Sequence, residues 1–268
     1  MIKAMLKTSL CALSVFAAFS FSAQAKLHTE KVEYMQNGQV MEGYMAYDTD
    51  YLKPGKSNPG VLIYHAWMGI GPHEMDWARK LAEAGYVAFA PDIYGKGIRP
   101  KTPDAAGKEA TKYRKDRALM RARANEGLTQ LKKSPWVNPE KIGALGFCFG
   151  GGVTLELARS GAPVSGFVSL HGNLDTPDPK DAQNIKGEVL VLHGAADPYV
   201  PMDQVAALQK EMDAAKVDWQ LHMYGEAVHA FSDPYAGSNP ASGAAYNPLA
   251  ARRAWGDTLS FLQKHVAP

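Results

Sequence analysis

Cysteine is nearly missing from this sequence: its 268 residues hold two, Cys11 and Cys148. Beyond Ala25 only Cys148 remains, so no internal disulfide can staple the rest of the chain. Histidines, cysteines and acids nowhere stand at metal-ligand spacing, and no G-x-G-x-x-G opens the first helix. Neither a metal nor a dinucleotide cofactor is therefore expected. Long apolar runs are missing as well. The longest, Leu10 to Phe21, has twelve residues and is too short to cross a bilayer as a stable helix. Repeats, low-complexity tracts and linker-like stretches are absent too, which leaves nothing to divide the chain after Ala25.

That short apolar run has its own meaning. Lys3 and Lys7 precede it and Ala23-Gln24-Ala25 follows, the order of a cleavable secretory signal. Residues 1–25 are expected to be removed ahead of Lys26, placing the mature chain in the periplasm or outside the cell. Thr8-Ser9-Leu10 before Cys11 makes a poor lipoprotein site, and an uncleaved anchor is the minor alternative. Removal takes away two lysines and no acid, which leaves 27 basic and 27 acidic residues and brings the formal charge from +2 to zero. No basic field then argues for nucleic acid or for stable membrane association. Residues 26–268 suit one domain with a continuous core. An exported chain with one thiol carries either a reactive cysteine or an intermolecular bond.

The sequence around that thiol is Lys141 to Gly152, KIGALGFCFGGG. A short apolar run, Ile142 to Phe147, leads into glycines on both sides of Cys148, and Val153 to Arg159 has helix-forming composition. A strand, a sharp turn and a helix are expected. A side chain on such a turn needs positive φ, which requires glycine two positions to either side. The helix that follows favours a thiolate through its dipole, and the Phe149 N–H would face a reacting carbonyl. The plainer alternative is a buried, inert cysteine in a Gly-rich turn.

The remaining elements follow in order. His28–Met35 and Val40–Tyr47 read as a hairpin around Asn37-Gly38. Val61–Tyr64, Tyr86–Ala90, Val164–Leu170, Glu188–His193 and Trp219–Tyr224 read as strands. Pro72–Ala84, Lys108–Lys133 (broken once), Asp203–Ala215 and Pro248–Val266 read as helices. Gly95–Gly107 reads as a surface excursion, and the Arg and Lys of Lys108–Lys133 as a solvated face. Alternating strands and helices imply a mostly parallel sheet covered on both faces, with ligands at the carboxyl ends of the strands. Just past those ends fall Trp67, Cys148, Asp197 and His229. Nucleophile, acid and histidine occur in that chain order, and a thiol needs a base that a third group orients. Asp197 before Pro198 would alternatively cap a turn. His229 is the one histidine of eight in the loop after the last strand, while His65, His171 and His193 end strands and suit supporting roles.

These segments together resemble the dienelactone hydrolases, α/β-hydrolases with a Cys–His–Asp triad. The likeness rests on His65-Ala-Trp-Met-Gly69, Pro91-Asp-Ile-Tyr-Gly95, Gly146-Phe-Cys-Phe-Gly-Gly151, His193-Gly-Ala-Ala-Asp-Pro198 and Val228-His-Ala-Phe231. It implies an α/β-hydrolase fold with an N-terminal β-hairpin, and a hydrolase of small esters or lactones that works without a cofactor. Cys148 would be the nucleophile, Asp197 the orienting acid, His229 the base, and the N–H groups of Trp67 and Phe149 the oxyanion hole. Lys96, Met68 and Tyr94 would border the substrate. The family's founding enzymes carry a glutamate where this chain has Ala66, and two substrate-holding arginines where it has Lys96 and Asp233. Carboxylated substrates are accordingly expected to hold no advantage over neutral ones. A non-catalytic binding protein on the same fold is the alternative, and a redox-sensing thiol is disfavoured because no resolving cysteine is available.

Overall fold

A computed structural model describes residues 26–53, 55 and 57–268; the expected signal segment, residues 1–25, lies outside them. Strands β1 (Leu27–Gln36) and β2 (Gln39–Asp48) form the hairpin. Its turn residues Asn37 and Gly38 have φ of +47° and +78°, the left-handed pair that a two-residue turn between twisted strands demands. The chain continues through β3 (Asn58–Tyr64), α1 (Pro72–Glu83), β4 (Val87–Ala90), α2 (Pro103–Lys115), α3 (Arg117–Lys133) and β5 (Val137–Phe147). It then runs through α4 (Phe149–Arg159), β6 (Gly166–Leu170), β7 (Glu188–Gly194), α5 (Met202–Ala215), β8 (Trp219–Tyr224) and α6 (Pro248–Val266).

All eight strands join one sheet in the order β1-β2-β4-β3-β5-β6-β7-β8, with β1 and β2 antiparallel and the rest parallel. Alternation along each strand divides the core. Leu62, Tyr64, Phe89, Ala144, Phe167 and Val191 face a layer built by α3, α4 and α5. Val61, Ile63, Ala88, Leu145, Val168 and Leu192 face α1 and α6. Period-two patterning with both faces apolar is what a parallel sheet buried on both sides requires. The chain leaves β3 toward α1 on one face and β5 toward α4 on the other. The sheet therefore changes its winding between β3 and β5, where open α/β sheets hold ligands.

Two expectations are corrected here. The Gly95–Gly107 excursion ends early, because Thr102 caps a helix that starts at Pro103; its side chain accepts from Ala105 N–H. Asp116 then caps α3 in the same way and causes the single break. The arginines of this region also do not form a solvated face. Arg117 binds Asp175, Arg121 bridges Glu156 and Asp181, and Arg123 is buried against Gln39. Periodicity showed that these positions leave the apolar stripe, but not that acids from other loops wait opposite them.

Three buried histidines make the stability pH-dependent. Burial depresses the folded-state values of His65 to about 4, of His73 to about 3, and of His171 well below its ordinary range. Below pH 6.5 the unfolded chain thus binds more protons than the native one, so stability is held above that pH and lost as pH falls through it. Each histidine contributes a slope of up to about 1.4 kcal/mol per pH unit. His193, also lowered by burial, adds to them, whereas Glu74 and Asp233, raised by burial, and His229, raised to about 10, act in the opposite sense, three groups against four. The midpoint of urea unfolding is expected to drop between pH 6.5 and pH 5, and a flat or rising midpoint would contradict this account.

Candidate active site

Cys148 occupies the turn between β5 and α4 with φ +53° and ψ −116°. A residue with a side chain is strained there, so the surroundings must hold it. They do so through closeness. A Cβ on Gly146 would stand 2.1 Å from the Gly150 carbonyl oxygen, one on Gly150 2.0 Å from that of Tyr64, and one on Gly151 2.6 Å from Gly172 Cα. Helix α4 thus starts closer to the ends of β3 and β6 than any side chain permits. Backbone bonds fix the turn: Cys148 N–H donates to Leu170 O at 3.1 Å, and Cys148 O accepts from Gly151 N–H at 3.0 Å.

The acid and the histidine come from the next two strand ends. Gly194 and Tyr224 pair at the ends of β7 and β8, and the loops beyond stay joined: Ala195 N–H donates to Tyr224 O at 2.9 Å and Ala196 N–H to Ala227 O at 3.0 Å. That brings Asp197 Oδ2 to 2.8 Å from His229 Nδ1. The other carboxylate oxygen accepts from Tyr199 N–H at 2.8 Å and Val200 N–H at 3.2 Å. Asp197 does cap a turn, as the plainer reading of Asp-Pro held, and it orients His229 at the same time. The His229 backbone is pinned on both sides, donating to Gly243 O at 3.1 Å and accepting from Ala245 N–H at 2.9 Å.

Cys148 and His229 are in contact and shift each other. Burial pushes the thiol up, but the His229 charge, a hydrogen bond from His229, the Arg114 charge and the Phe149 N–H together bring it below its ordinary value. Burial pushes His229 down, yet the Cys148 charge and the Asp197 hydrogen bond raise it to about 10. The two groups titrate as a pair, and the direction of both shifts favours thiolate beside imidazolium. Such a pair can attack an electrophilic carbon and then deliver a proton to the group that leaves.

The loop His65–Gly69 flanks the sulfur because Tyr64 and Gly146 are paired at the ends of β3 and β5. Three buried groups hold this loop. His65 donates through Nδ1 to Ala66 O at 2.7 Å and accepts at Nε2 from Ile93 N–H at 3.2 Å, so the ring must stay neutral. Glu74 accepts from Ala66 N–H at 3.0 Å and from Gly71 N–H at 2.8 Å. Tyr94 donates from its hydroxyl to Trp67 O at 2.9 Å. Its ring is fully buried among His65, Tyr113 and Phe149, so it supports the loop from beneath and has no surface open to a substrate. Trp67 is half-buried and Met68 exposed on the same loop. Lys96 is ion-paired with Glu33, and Asp233 turns to His73 at 3.8 Å. Two surface cavities, about 500 and about 280 Å³, are both lined by residues other than Cys148, Asp197 and His229.

Two neighbours had no assigned part in the sequence. Arg114, on α2, projects its charge toward the thiol. Ser232 receives His171 Nε2 at 2.8 Å and lies 3.4 Å from His73 Nε2. His171 in turn meets the His229 ring edge-on, with centroids 5.3 Å apart. The strand-end position of His171 was the available signal; Arg114 had none, being one of many basic residues on a helix.

The dienelactone hydrolase family model matches residues 30–266. Among curated relatives, a putative carboxymethylenebutenolidase of Aquifex aeolicus is 29% identical, over 88% of this chain and 99% of its own length. A probable 2-oxo-3-(5-oxofuran-2-ylidene)propanoate lactonase of Bradyrhizobium is 27% identical, over 89% and 96%. Among solved structures, a dienelactone hydrolase-like promiscuous phosphotriesterase from metagenomic libraries is 36% identical. It superposes with a TM-score of 0.85, over 90% of this chain and 99% of its own.

The support under the loop is testable. Tyr94→Phe removes one buried hydrogen bond and leaves Trp67 O without its donor, an expected loss of about 1–3 kcal/mol in unfolding free energy. Chemical denaturation measures this, and an unchanged stability would mean that the Tyr94 hydroxyl does not hold the loop.

Proposed function

The chain belongs to the dienelactone hydrolase family, an α/β-hydrolase acting on ester or lactone bonds, and we propose that it is an exported member working through a cysteinyl acyl-enzyme. The observation that carries this reading is the line Asp197–His229–Cys148, whose sulfur sits on the one strained turn between β5 and α4. In the first step the Cys148 thiolate attacks the carbonyl carbon, and the carbonyl π electrons move to oxygen. Phe149 N–H and Trp67 N–H receive that oxyanion; losing one such donor costs about 3–4 kcal/mol of transition-state stabilisation. The oxyanion collapses, the C–O bond to the leaving group breaks, and His229 gives its Nε2 proton to the departing alkoxide. Neutral His229 then takes a proton from water, hydroxide adds to the thioester, and thiolate departs. The acid product leaves and the imidazolium–thiolate pair is restored. Asp197 keeps the His229 proton on Nδ1 throughout.

The relatives' names favour lactones as substrates, and the surroundings favour neutral ones. Lys96 is neutralised by Glu33, and Asp233 faces a His73 ring that stays neutral, so these positions offer an anionic acyl group no free cation and one acid. Neutral esters or lactones should be hydrolysed at least as well as carboxylated ones. Export rests on the pattern of residues 1–25 and predicts a mature chain beginning at Lys26, which the intact mass of the exported protein decides.

Iodoacetamide is expected to abolish hydrolysis of short acyl esters with one adduct, on Cys148. Cys148→Ala should be folded and inert, and Cys148→Ser should keep a small remnant, since a hydroxyl ionises far less readily than a thiol. Full activity in Cys148→Ala would end the proposal. For an alkyl ester, kcat/KM should fall at acid pH as the thiolate is protonated and at alkaline pH as the imidazolium loses its proton.

A further inference from the structure

Arg114 stands close to the elbow without belonging to the line of three residues described above. It lies on α2, the helix that interrupts the excursion after β4, and its guanidinium sits 5.9 Å from the centre of the Phe149 ring. Phe149 is the residue directly after the sulfur. One guanidinium nitrogen donates to Asn173 Oδ1 at 2.8 Å, and Asn173 N–H donates to the Cys148 carbonyl at 3.4 Å. A single asparagine thus ties the arginine to the nucleophile's own peptide. Gly152 leaves the room in which Asn173 sits: a Cβ added to that glycine would stand 3.3 Å from Asn173 Cβ. The Arg114 Nε–H is buried without a partner among the described residues.

We propose that Arg114 is a positioning residue for the reaction: clamped by Asn173 over Phe149, it supplies a fixed positive charge that favours Cys148 as thiolate. This rests on Cys148 being the reactive thiol of the site. The need for such a charge follows from the surroundings. Burial works against a charged sulfur, and the aromatic floor of His65, Tyr94 and Phe149 offers no cation, since His65 is held neutral. Among the described residues His229 is the only other positive group acting on the thiol, and its charge is used up when it protonates the leaving group. At that moment the new thioester is neutral; His229 regains its charge when it deprotonates water, and the arginine keeps a positive charge near the sulfur throughout, including when thiolate leaves again. An arginine serves because it cannot lose its proton near neutral pH.

The groups bearing on the thiol from neighbouring elements can be named. His229, with Asp197 behind it, faces it from the loop after β8, and Arg114 from α2. Tyr94 lies below, its own hydroxyl raised by burial and by the Cys148 charge, with Tyr113 and Glu109 further out on α2. Glu109 is itself paired with Lys112. Arg114 is thus the one permanent cation among them.

The test reads thiolate directly and needs no substrate. The rate of carboxamidomethylation of Cys148 by iodoacetamide is measured from pH 5 to pH 10 in the full mature chain, with far-UV circular dichroism to confirm folding. In Arg114→Gln the profile should move to higher pH, with alkylation about three- to tenfold slower on its acid side and an unchanged plateau. Arg114→Lys, which keeps the charge, should restore most of the shift, and Asn173→Ala, which releases the clamp, should reproduce part of it. An unshifted profile in Arg114→Gln, or a lysine variant no better than glutamine, overturns the proposal. Normal alkylation profiles together with no ester hydrolysis would instead count against the catalytic reading of the site.

Discussion

Everything at this site depends on one backbone constraint, the positive φ at Cys148. A turn that sharp puts the sulfur above the sheet's edge, and it can exist only where helix α4 is allowed to lie nearly on top of β3 and β6. The three nearest glycines are there for that reason: at Gly146, Gly150 and Gly151 a single methyl group would overlap backbone atoms, not movable side chains. Because those atoms belong to Tyr64, Gly150 and Gly172, the constraint reaches across three strand ends at once. The same closeness sets the start of the His65–Gly69 loop against the first turn of α4, where a Cβ on Gly150 would stand 2.6 Å from His65 O. A strained residue costs on the order of 1–3 kcal/mol, and the packed ends of three strands are enough to hold it.

The parts of this arrangement that local chemistry dictates were legible in the sequence. Glycines around a cysteine, a strand before and a helix after describe a turn with few alternatives. Asp197 and His229 were readable because a parallel sheet delivers the ends of consecutive strands to one edge, so position after a strand is information about space. The hairpin was readable because Asn-Gly prefers the left-handed pair of angles that its turn needs. What escaped were contacts between elements far apart in the chain. Arg114 meets Asn173 across 59 residues, and Arg121 meets Glu156 across 35. Basic residues off the apolar stripe of a helix look alike whether they face water or an acid from another loop. The resemblance puts Tyr94 beside the substrate, whereas its hydroxyl reaches the other way, to the carbonyl of Trp67.

The histidines divide by their neighbours more than by their burial. His65, His73, His171 and His229 are all removed from water, yet only His229 is raised. Desolvation disfavours the charged ring in every case, by an amount that a neutral partner cannot offset. His65 meets a carbonyl and an amide, and His171 meets a serine hydroxyl, so both stay neutral. His229 alone meets a carboxylate on one side and a thiol able to give up its proton on the other. The negative charge of the Cys148 thiolate, with the charge-assisted hydrogen bond to Asp197 behind it, reverses the sign of the shift.

The neutral rings have a consequence for the charged one. His171 lies edge-on to His229, and a second proton there would place two cations about 5 Å apart in a poorly screened interior. Its Nε2 is engaged with Ser232, and its Nδ1 has no partner among the described residues to stabilise a positive charge. Protonation of His171 is thus opposed twice, by desolvation and by the imidazolium beside it. The coupling is mutual: the harder it is to charge His171, the more freely His229 can carry its proton to the sulfur's side and back. A buried polar residue in place of His171 would preserve volume, but an acid there would compete with Asp197 for the ring. The site therefore needs a polar neighbour that stays neutral across the working pH range, and a desolvated imidazole with one unpartnered nitrogen meets that condition.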